Sequence, residues 1–533
     1  MTTETYPAPT ISWSGPAGDV ALDAAGWRAA LLALDRPCHV VRRGEQVGLT
    51  TTGQTVSGTL GDYELLASVA PLRPETLGSA AFRAAHGVTY AYHAGAMANG
   101  ISSAEMVIAL GKANLLGSFG AGGLPPQQIE TAINAIQAAL PNGPYAFNLI
   151  HSPNEEALER RAVDLFLERG VQTIEASAFL ALTGHVVRYR VAGLRRTPDG
   201  QIVATNKIIA KLSRGEVAAA FLGPAPARIL GELQAAGLIT AEQAALAAHV
   251  PMADDITVEA DSGGHTDNRP LVCLLPAIQS QRDEARAQHG YPHLVRVGAG
   301  GGIGTPGAAL ATFMMGADYI VTGSVNQACL ESGSSPWVRT QLAAAEMADV
   351  MMAPAADMFE MGVKLQVLKR GTLFPVRAQK LYEIYRAYDS LDAIPAAERS
   401  KLERQIFRRP LAEVWSDTET FFAGRDPEQL RHAEANPKRK MALVFRWYLG
   451  LSSRWANSGE PGRETDYQIW CGPAMGAFNS WVRGSHLEQP EERRVVEVAR
   501  QLMVGAAYQY RTQQLQMLGI ELPADLKAYR PVR

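Results

Sequence analysis

The stretch VRVGAGGGIGTPGAALATFMMGADYIVTGS, residues 295–324, carries the densest chemical signal in the chain. Four glycines (Gly298, Gly300, Gly301, Gly302) fall within five positions, at a cost in backbone entropy that a plain turn does not require. The run Gly302-Ile303-Gly304-Thr305-Pro306-Gly307 matches a GxGxxG spacing. A dinucleotide site of that type needs an acidic residue about 20 positions further on to hold a ribose. Here the nearby acid, Asp318, comes before the next apolar run, and that run ends in Gly323-Ser324. Two glycine turns after two consecutive strands make adjacent nests of backbone N–H groups, which suit a phosphate. A glycine-rich turn with no ligand is the plain alternative.

A second constellation is Glu259-Ala260-Asp261-Ser262-Gly263-Gly264-His265-Thr266-Asp267. Its two glycines let the main chain approach a flat ligand, and the histidine beside them is the side chain best suited to proton transfer near neutral pH. A loop histidine that only satisfies its own hydrogen bonds is the competing reading. Asn148 in YAFNLI and Lys211 in IIAKL interrupt otherwise apolar runs. A buried lysine needs a partner, either Glu259 or Asp261 within the chain, or a bound anion or polar ring edge. The segment Gly95-Ala96-Met97-Ala98-Asn99-Gly100 is small enough to lie beside a planar ring, or to be a simple turn. The aromatic stretch from Trp447 to Trp481 reads as core packing or as a ligand wall.

These residues need a frame, and the apolar pattern supplies one. Eight short apolar runs recur between 88 and 325: VTYAYHAG, NLLGSFG, YAFNLI, QTIEASAF, NKIIAKL, ITVEAD, LVRVGAG and YIVTGSV. Continuous rather than alternating apolar runs belong to a sheet covered on both faces. Helical stretches separate them. Ser152, Pro153 and Glu155 form a capping box for one, and Thr305-Pro306 opens another. The expected class is α/β, a (βα)8 TIM barrel with a small N-terminal module and a helical C-terminal extension. The expected divisions are 1–80, 81–335 and 336–533. The leading module has extended pieces CHVVRR and QVGLTTT around a hairpin break at Arg43-Gly44-Glu45. VVRYRV (186–191) suggests an additional hairpin, 340–445 reads as helical, 446–485 as irregular and aromatic, and 489–518 as a closing helix.

The chain has 533 residues, 47% apolar and 19% charged, with a net charge of −3. That composition excludes a largely disordered protein and provides no basic field for nucleic acid. Four dispersed cysteines (Cys38, Cys273, Cys329, Cys471) exclude a disulfide framework and a Cys-based metal site, and fit a reducing cytosol. No signal peptide and no run of about 18 apolar residues is visible, so a cytoplasmic protein without a membrane segment is expected.

GAMANG, Asn148, EADSGGH and the pair GAGGGIGT…GADYIVTGS together resemble the FMN-dependent barrel oxidoreductases. That group includes nitronate monooxygenases and flavin-type bacterial enoyl-acyl-carrier-protein reductases, and the resemblance covers roughly residues 85–330. The N-terminal module, GGHTDNRP at 263–270, and the tail segments FEMGVKLQVLKRGTLFP and GPAMGAFNSW resemble more narrowly the trans-acting enoyl reductases of polyketide and polyunsaturated fatty acid synthases. This second resemblance spans nearly the whole chain. It implies FMN at the barrel mouth, its phosphate on Gly300, Gly301, Gly302, Gly323 and Ser324. Asn148 and Lys211 would meet the ring edge, Ala96 and Met97 its face, and Ser262, Gly263 and Gly264 its other flank. His265 matches the family's catalytic histidine.

The implied reaction reduces the 2,3 double bond of an enoyl thioester on an acyl carrier protein, with NADPH or NADH as hydride source. The implied partners are carrier-protein domains and a second copy of the chain, with no nucleic acid, membrane or metal. The helical region and aromatic tail would form part of the substrate entrance, and Lys364, Lys369, Arg370, Arg377 and Lys380 a basic face for an acidic carrier. The turn GAGGGIG departs from the AAGGIA of nitronate monooxygenases, which weighs against nitronate chemistry. A nitronate monooxygenase-like flavin oxidase, a non-catalytic FMN-binding scaffold within a synthase complex and a phosphosugar or nucleotide enzyme on the same barrel remain the alternatives.

Overall fold

A computed structural model describes residues 11–58, 61–151 and 156–532. The eight apolar runs are eight parallel strands: β1 (Tyr92–Ala94), β2 (Leu116–Phe119), β3 (Ala146–Ile150), β4 (Thr173–Ser177), β5 (Lys207–Leu212), β6 (Asp255–Glu259), β7 (Arg296–Gly300) and β8 (Ile320–Thr322). Each pairs with the next in the chain, and β8 returns to β1 to close the barrel.

Alternation along each strand sorts the side chains. Ile174 and Ala176 of β4, and Ile208 and Ala210 of β5, pack outward against helix residues such as Phe166 and Val187. The inward residues are largely polar. At the barrel floor Asp255 is fully buried between Arg296 Nε (2.6 Å) and His86 Nε2 (2.9 Å). Both partners hold its carboxyl well below the usual range against the opposing effect of burial.

VVRYRV is not a hairpin. It lies in the helix Gly184–Ala192, where Thr183 caps the Val186 N–H at 3.2 Å and Val186, Val187, Arg190 and Val191 are buried. The β-branched valines suggest a strand, but burial at helical spacing decides the outcome. A small hairpin does form just beyond, between Leu194–Arg196 and Ile202–Ala204. Thr305 caps the helix Pro306–Met314, as its sequence predicts. The capping box at 152–155 lies outside the described residues.

The region after the barrel is not uniformly helical either. Val350–Pro354 and Lys364–Leu368 form an antiparallel hairpin, extended by the two-residue strand Gly264–His265. Helices Phe374–Ala387, Leu411–Arg425 and Pro437–Ser458 follow. Phe374, Leu381, Phe407, Phe445 and Tyr448 share a second core there. The span expected to be irregular thus holds the end of a 22-residue helix and a second helix, Ala474–Val482. A closing helix, Val495–Met517, returns to the barrel, and its Val498, Leu502 and Ala506 share a core with Ala309, Leu310, Tyr92 and Ile320.

The leading module is a five-stranded antiparallel sheet in the order Gln46–Thr50, Cys38–Arg43, Tyr63–Val69, Ile11–Ser14, Gln54–Ser57. Its first two strands turn at Gly44, φ +61°. Among the described residues no helix is long and apolar enough to cross a membrane, and no group of three His, Cys, Asp or Glu is placed to hold a metal.

Candidate active site

The C-terminal ends of the barrel strands open into a cavity of about 750 Å³. Ala96, Met97, Asn148, Lys211, Ser262, Gly263, Gly264, His265, Gly300, Gly301, Gly302, Gly323 and Ser324 all line it. Residues spread over more than 200 positions meet there because a parallel barrel brings every strand's C-terminal end to one face.

The floor is a charged network. Lys211 Nζ lies 3.3 Å from Glu259 Oε1 and 3.6 Å from Glu175 Oε1. Asp261, the other partner suggested for Lys211, instead accepts from Asn268 and Gln366. Burial disfavours the ammonium, but the two carboxylates outweigh it and raise the Lys211 pKa. Burial also pushes Glu175 upward, and Lys211, His93 and the Ala96 N–H bring it below its ordinary value. The Ala96 N–H donates to Glu175 Oε2 at 2.9 Å, so this buried acid also anchors the GAMANG turn. That turn is tied from above as well. Asn99, at φ +56°, donates to Ser453 Oγ at 3.0 Å, and its carbonyl accepts from Asn457 at 3.2 Å. Asn148 donates from Nδ2 to Glu175 O (3.0 Å) and Ser177 Oγ (2.8 Å), which fixes its amide orientation.

The two glycine turns have different surroundings on their two sides. Gly301 takes φ +95°, and a Cβ there would lie 2.7 Å from the Ala260 carbonyl carbon. A Cβ on Gly302 (φ +74°) or Gly323 would meet nothing within 4 Å, so the space beside both is open. The segment Cys471–Ala474 covers the turns from outside. Its Gly472 N–H donates to Ser324 Oγ at 2.9 Å, and a Cβ on Gly263 would lie 2.8 Å from Gly472 N. Ser324 keeps its own hydroxyl hydrogen for a ligand.

His265 occupies the short strand beside Leu365. Its Nε2 lies 3.0 Å from Asp357 Oδ1. Burial opposes charge on the ring, but the Asp357 and Glu259 carboxylates prevail and raise its pKa above the ordinary histidine value. A histidine so placed can carry a proton at neutral pH and release it to a substrate.

The cavity lining also includes the apolar side chains Ile129, Leu158, Ala162 and Leu165, and Phe421, Phe422, Leu443 and Trp447, together with Arg161, Arg425, Arg446 and Arg454. Phe421 and Phe422 belong to helix Leu411–Arg425, and Leu443 and Trp447 to helix Pro437–Ser458. Of the five cations in the expected basic face, three form ion pairs within the chain: Arg370 with Asp349 (3.7 Å), Lys380 with Glu398 (2.6 Å), and Arg377 with buried Asp466.

Glu175, His93 and Asp357 do not emerge from sequence reasoning. Glu175 in QTIEASAF and His93 in VTYAYHAG carry the same signal as Asn148 and Lys211, a polar residue inside an apolar run. Asp357 carries none, because its role depends on a hairpin that sequence periodicity does not reveal.

A barrel with this mouth and these covering helices defines a class, and comparison with known proteins gives the class its members. Residues 13–71 match the family described as fatty acid synthase subunit PfaD N-terminal domain. Residues 388–467 match the family described as [acyl-carrier-protein] S-malonyltransferase, inserted helical domain. The chain is 51% identical over 513 residues to a polyunsaturated fatty acid synthase subunit of Thraustochytrium sp., a match that covers 95% of this chain and 34% of that protein. It is 47% identical over 439 residues to polyketide biosynthesis protein PksE of Bacillus subtilis, covering 82% of this chain and 57% of that one. The crystal structure of the enoyl reductase domain of MlnA, from the macrolactin biosynthesis cluster of Bacillus amyloliquefaciens, superposes with a TM-score of 0.78 at 40% identity. That match covers 83% of this chain and 100% of the MlnA domain.

The chain belongs to the family of enoyl reductase domains of polyketide and polyunsaturated fatty acid synthases. It spans 34% of the length of the first of these curated relatives and 57% of the PksE protein.

Proposed function

We propose that the protein is an FMN-dependent enoyl reductase acting in trans on enoyl thioesters carried by an acyl carrier protein, with NADPH or NADH as reductant, in polyketide or polyunsaturated fatty acid synthesis. The observation that carries this reading is the meeting of two glycine turns, a polar floor and a histidine–carboxylate pair in one cavity of about 750 Å³. That volume lies within the usual range of small-molecule and cofactor sites.

The residues present fit a flavin mononucleotide. Gly302 and Gly323 leave space for a phosphate beside backbone N–H groups, with Gly300, Gly301 and the Ser324 hydroxyl completing the cradle. Lys211, charged between two acids, retains a donor for the polar edge of the ring. Asn148 has committed its N–H groups to β4 and offers Oδ1 as an acceptor. Ala96 and Met97 would lie against one ring face, with Ser262, Gly263 and Gly264 on the opposite flank. The bound flavin supplies hydride to the β-carbon of the enoyl group after reduction by the nicotinamide. His265 donates a proton to the α-carbon. The apolar part of the lining, Phe421, Phe422, Leu443 and Trp447 included, would hold the acyl chain or pantetheine arm.

The test uses the purified full chain. It is expected to release FMN on heating and to oxidise NADPH rapidly only with an enoyl thioester present. Steady oxygen-dependent turnover of a nitroalkane, without enoyl-dependent oxidation, would point instead to a flavin oxidase. His265→Ala is expected to lose on the order of 10²- to 10⁴-fold in enoyl reduction while still binding FMN and accepting electrons from NADPH. Wild-type enoyl turnover by that variant would remove His265 from the reaction.

A further inference from the structure

His265 is not held by the barrel that carries it. Its strand, Gly264–His265, pairs with Gln366 and Leu365 of the hairpin outside the barrel. Gln366 Nε2 reinforces the join by donating to Asp261 Oδ1 and to Ser262 O, both at 2.7 Å. The connection between the hairpin strands brings Asp357 to 3.0 Å from His265 Nε2. The same Oδ1 accepts the Met358 N–H at 3.1 Å, so the carboxylate is oriented from its own backbone. The charged groups acting on the ring are Asp357, Glu259 and Lys211, and Arg446 acts on Asp357 from the helix Pro437–Ser458. Asp357 stands among the residues lining the cavity with His265, although it is 92 residues away in the chain.

We propose that Asp357 is a positioning residue for the reduction: its Oδ1 holds the Nε2–H of His265, fixes the ring, and leaves Nδ1 as the nitrogen that gives its proton to the substrate. The inference rests on the enoyl reductase reading above. A bound flavin would supply the hydride for the new C–H bond at the β-carbon. The carbon–carbon π pair shifts to the α-carbon and takes the Nδ1 proton. The ring is left neutral, its Nε2–H still on Asp357, and recovers the lost proton from water. A carboxylate in this place also keeps the ring charged to higher pH, so the alkaline limb of the reaction reports on it.

The test compares Asp357→Asn and Asp357→Glu in the flavin-loaded full chain. The His265 titration midpoint is read from the pH dependence of its modification by diethylpyrocarbonate, with His265→Gln as the blank for other histidines. Asp357→Asn is expected to lower that midpoint by about one pH unit or more. The alkaline limb of enoyl reduction should move down by the same amount, with NADPH reduction of the flavin unchanged. Asp357→Glu should restore both. An Asp357→Asn protein whose midpoint and limb match wild type would overturn the proposal, as would activity lost equally at every pH with no shift. If wild type proves unable to reduce enoyl thioesters but the midpoint still falls in Asp357→Asn, the pairing stands and the enoyl reading fails.

Discussion

At the residue scale, the polar floor makes its own demands on stability. His93 is completely buried, with Nε2 2.7 Å from Ser118 Oγ. Burial dominates its environment and pushes its pKa from 6.5 down to about 4, against the opposing pull of Glu175. The unfolded chain therefore binds a proton that the native state refuses between these two values. Stability is fully present above pH 6.5 and falls as pH drops toward 4, by a total of about 3 kcal/mol. His93→Gln is expected to flatten the slope of the thermal midpoint across that window. Lys211→Met makes the complementary test, since it leaves Glu175 and Glu259 facing each other without a cation. A loss of about 3–5 kcal/mol, read by denaturant unfolding, is expected together with loss of bound flavin. The sequence alone requires a partner for Lys211, with Glu259 among the candidates. Glu175 enters only because β4 lies beside β5 and turns the same face inward.

At the scale of elements, local pattern predicted the barrel strands and failed at the covering hairpin. The runs of β1 to β8 are short and mostly apolar, broken by single polar residues such as His93, Asn148, Glu175 and Lys211, a signal each strand carries alone. MADVMMAPAADMFEMG has methionines and alanines that suit a helix equally well. Its Val350–Pro354 becomes a strand because Lys364–Leu368 pairs with it and Gly264–His265 extends the sheet. Tertiary context decides between two permitted local states. VVRYRV is the reverse case, a β-rich string made helical by what it packs against. The close approach of Cys471–Ala474 to the glycine turns leads to a third prediction. A Cβ on Gly304 would collide with the Ala474 carbonyl oxygen, a backbone atom that cannot rotate away. Gly304→Ala should cost about 1–3 kcal/mol, measured by thermal unfolding, and on the proposed function should also weaken retention of FMN, measured by its release on dilution.

At the scale of the whole molecule, the two ends of the chain support each other and the barrel. Arg511, buried on the helix Val495–Met517, donates to the carbonyls of Ala30, Leu31, Ala33, Leu34 and Arg36 at 2.5–3.4 Å. It thereby caps the end of the helix Ala24–Leu32 in the leading module. The same closing helix lies on Pro306–Met314, where Gly505 comes so near that a Cβ would be 2.5 Å from Pro306 Cγ. Arg511→Ala removes the donors from five carbonyls at once. An unfolding free energy lower by about 1–3 kcal/mol is expected, with proteolytic cleavage beginning in the leading module. An unchanged cleavage pattern would mean that the sheet is anchored by its apolar contacts alone.

The sequence by itself determined the number and order of the barrel strands, the turns at their ends and the residues that line the mouth. Those properties are written in short-range spacing, and a closed parallel barrel has one face where such turns can gather. Only the tertiary structure decided which acids meet Lys211, that Arg370, Lys380 and Arg377 would pair with Asp349, Glu398 and Asp466, and that Asp357 would reach His265. These pairings join residues far apart in the chain, and no local periodicity encodes them. The Lys211 contacts follow from barrel closure, the Arg and Lys pairs from packing within the extension, and the Asp357–His265 contact from the extension meeting the barrel mouth.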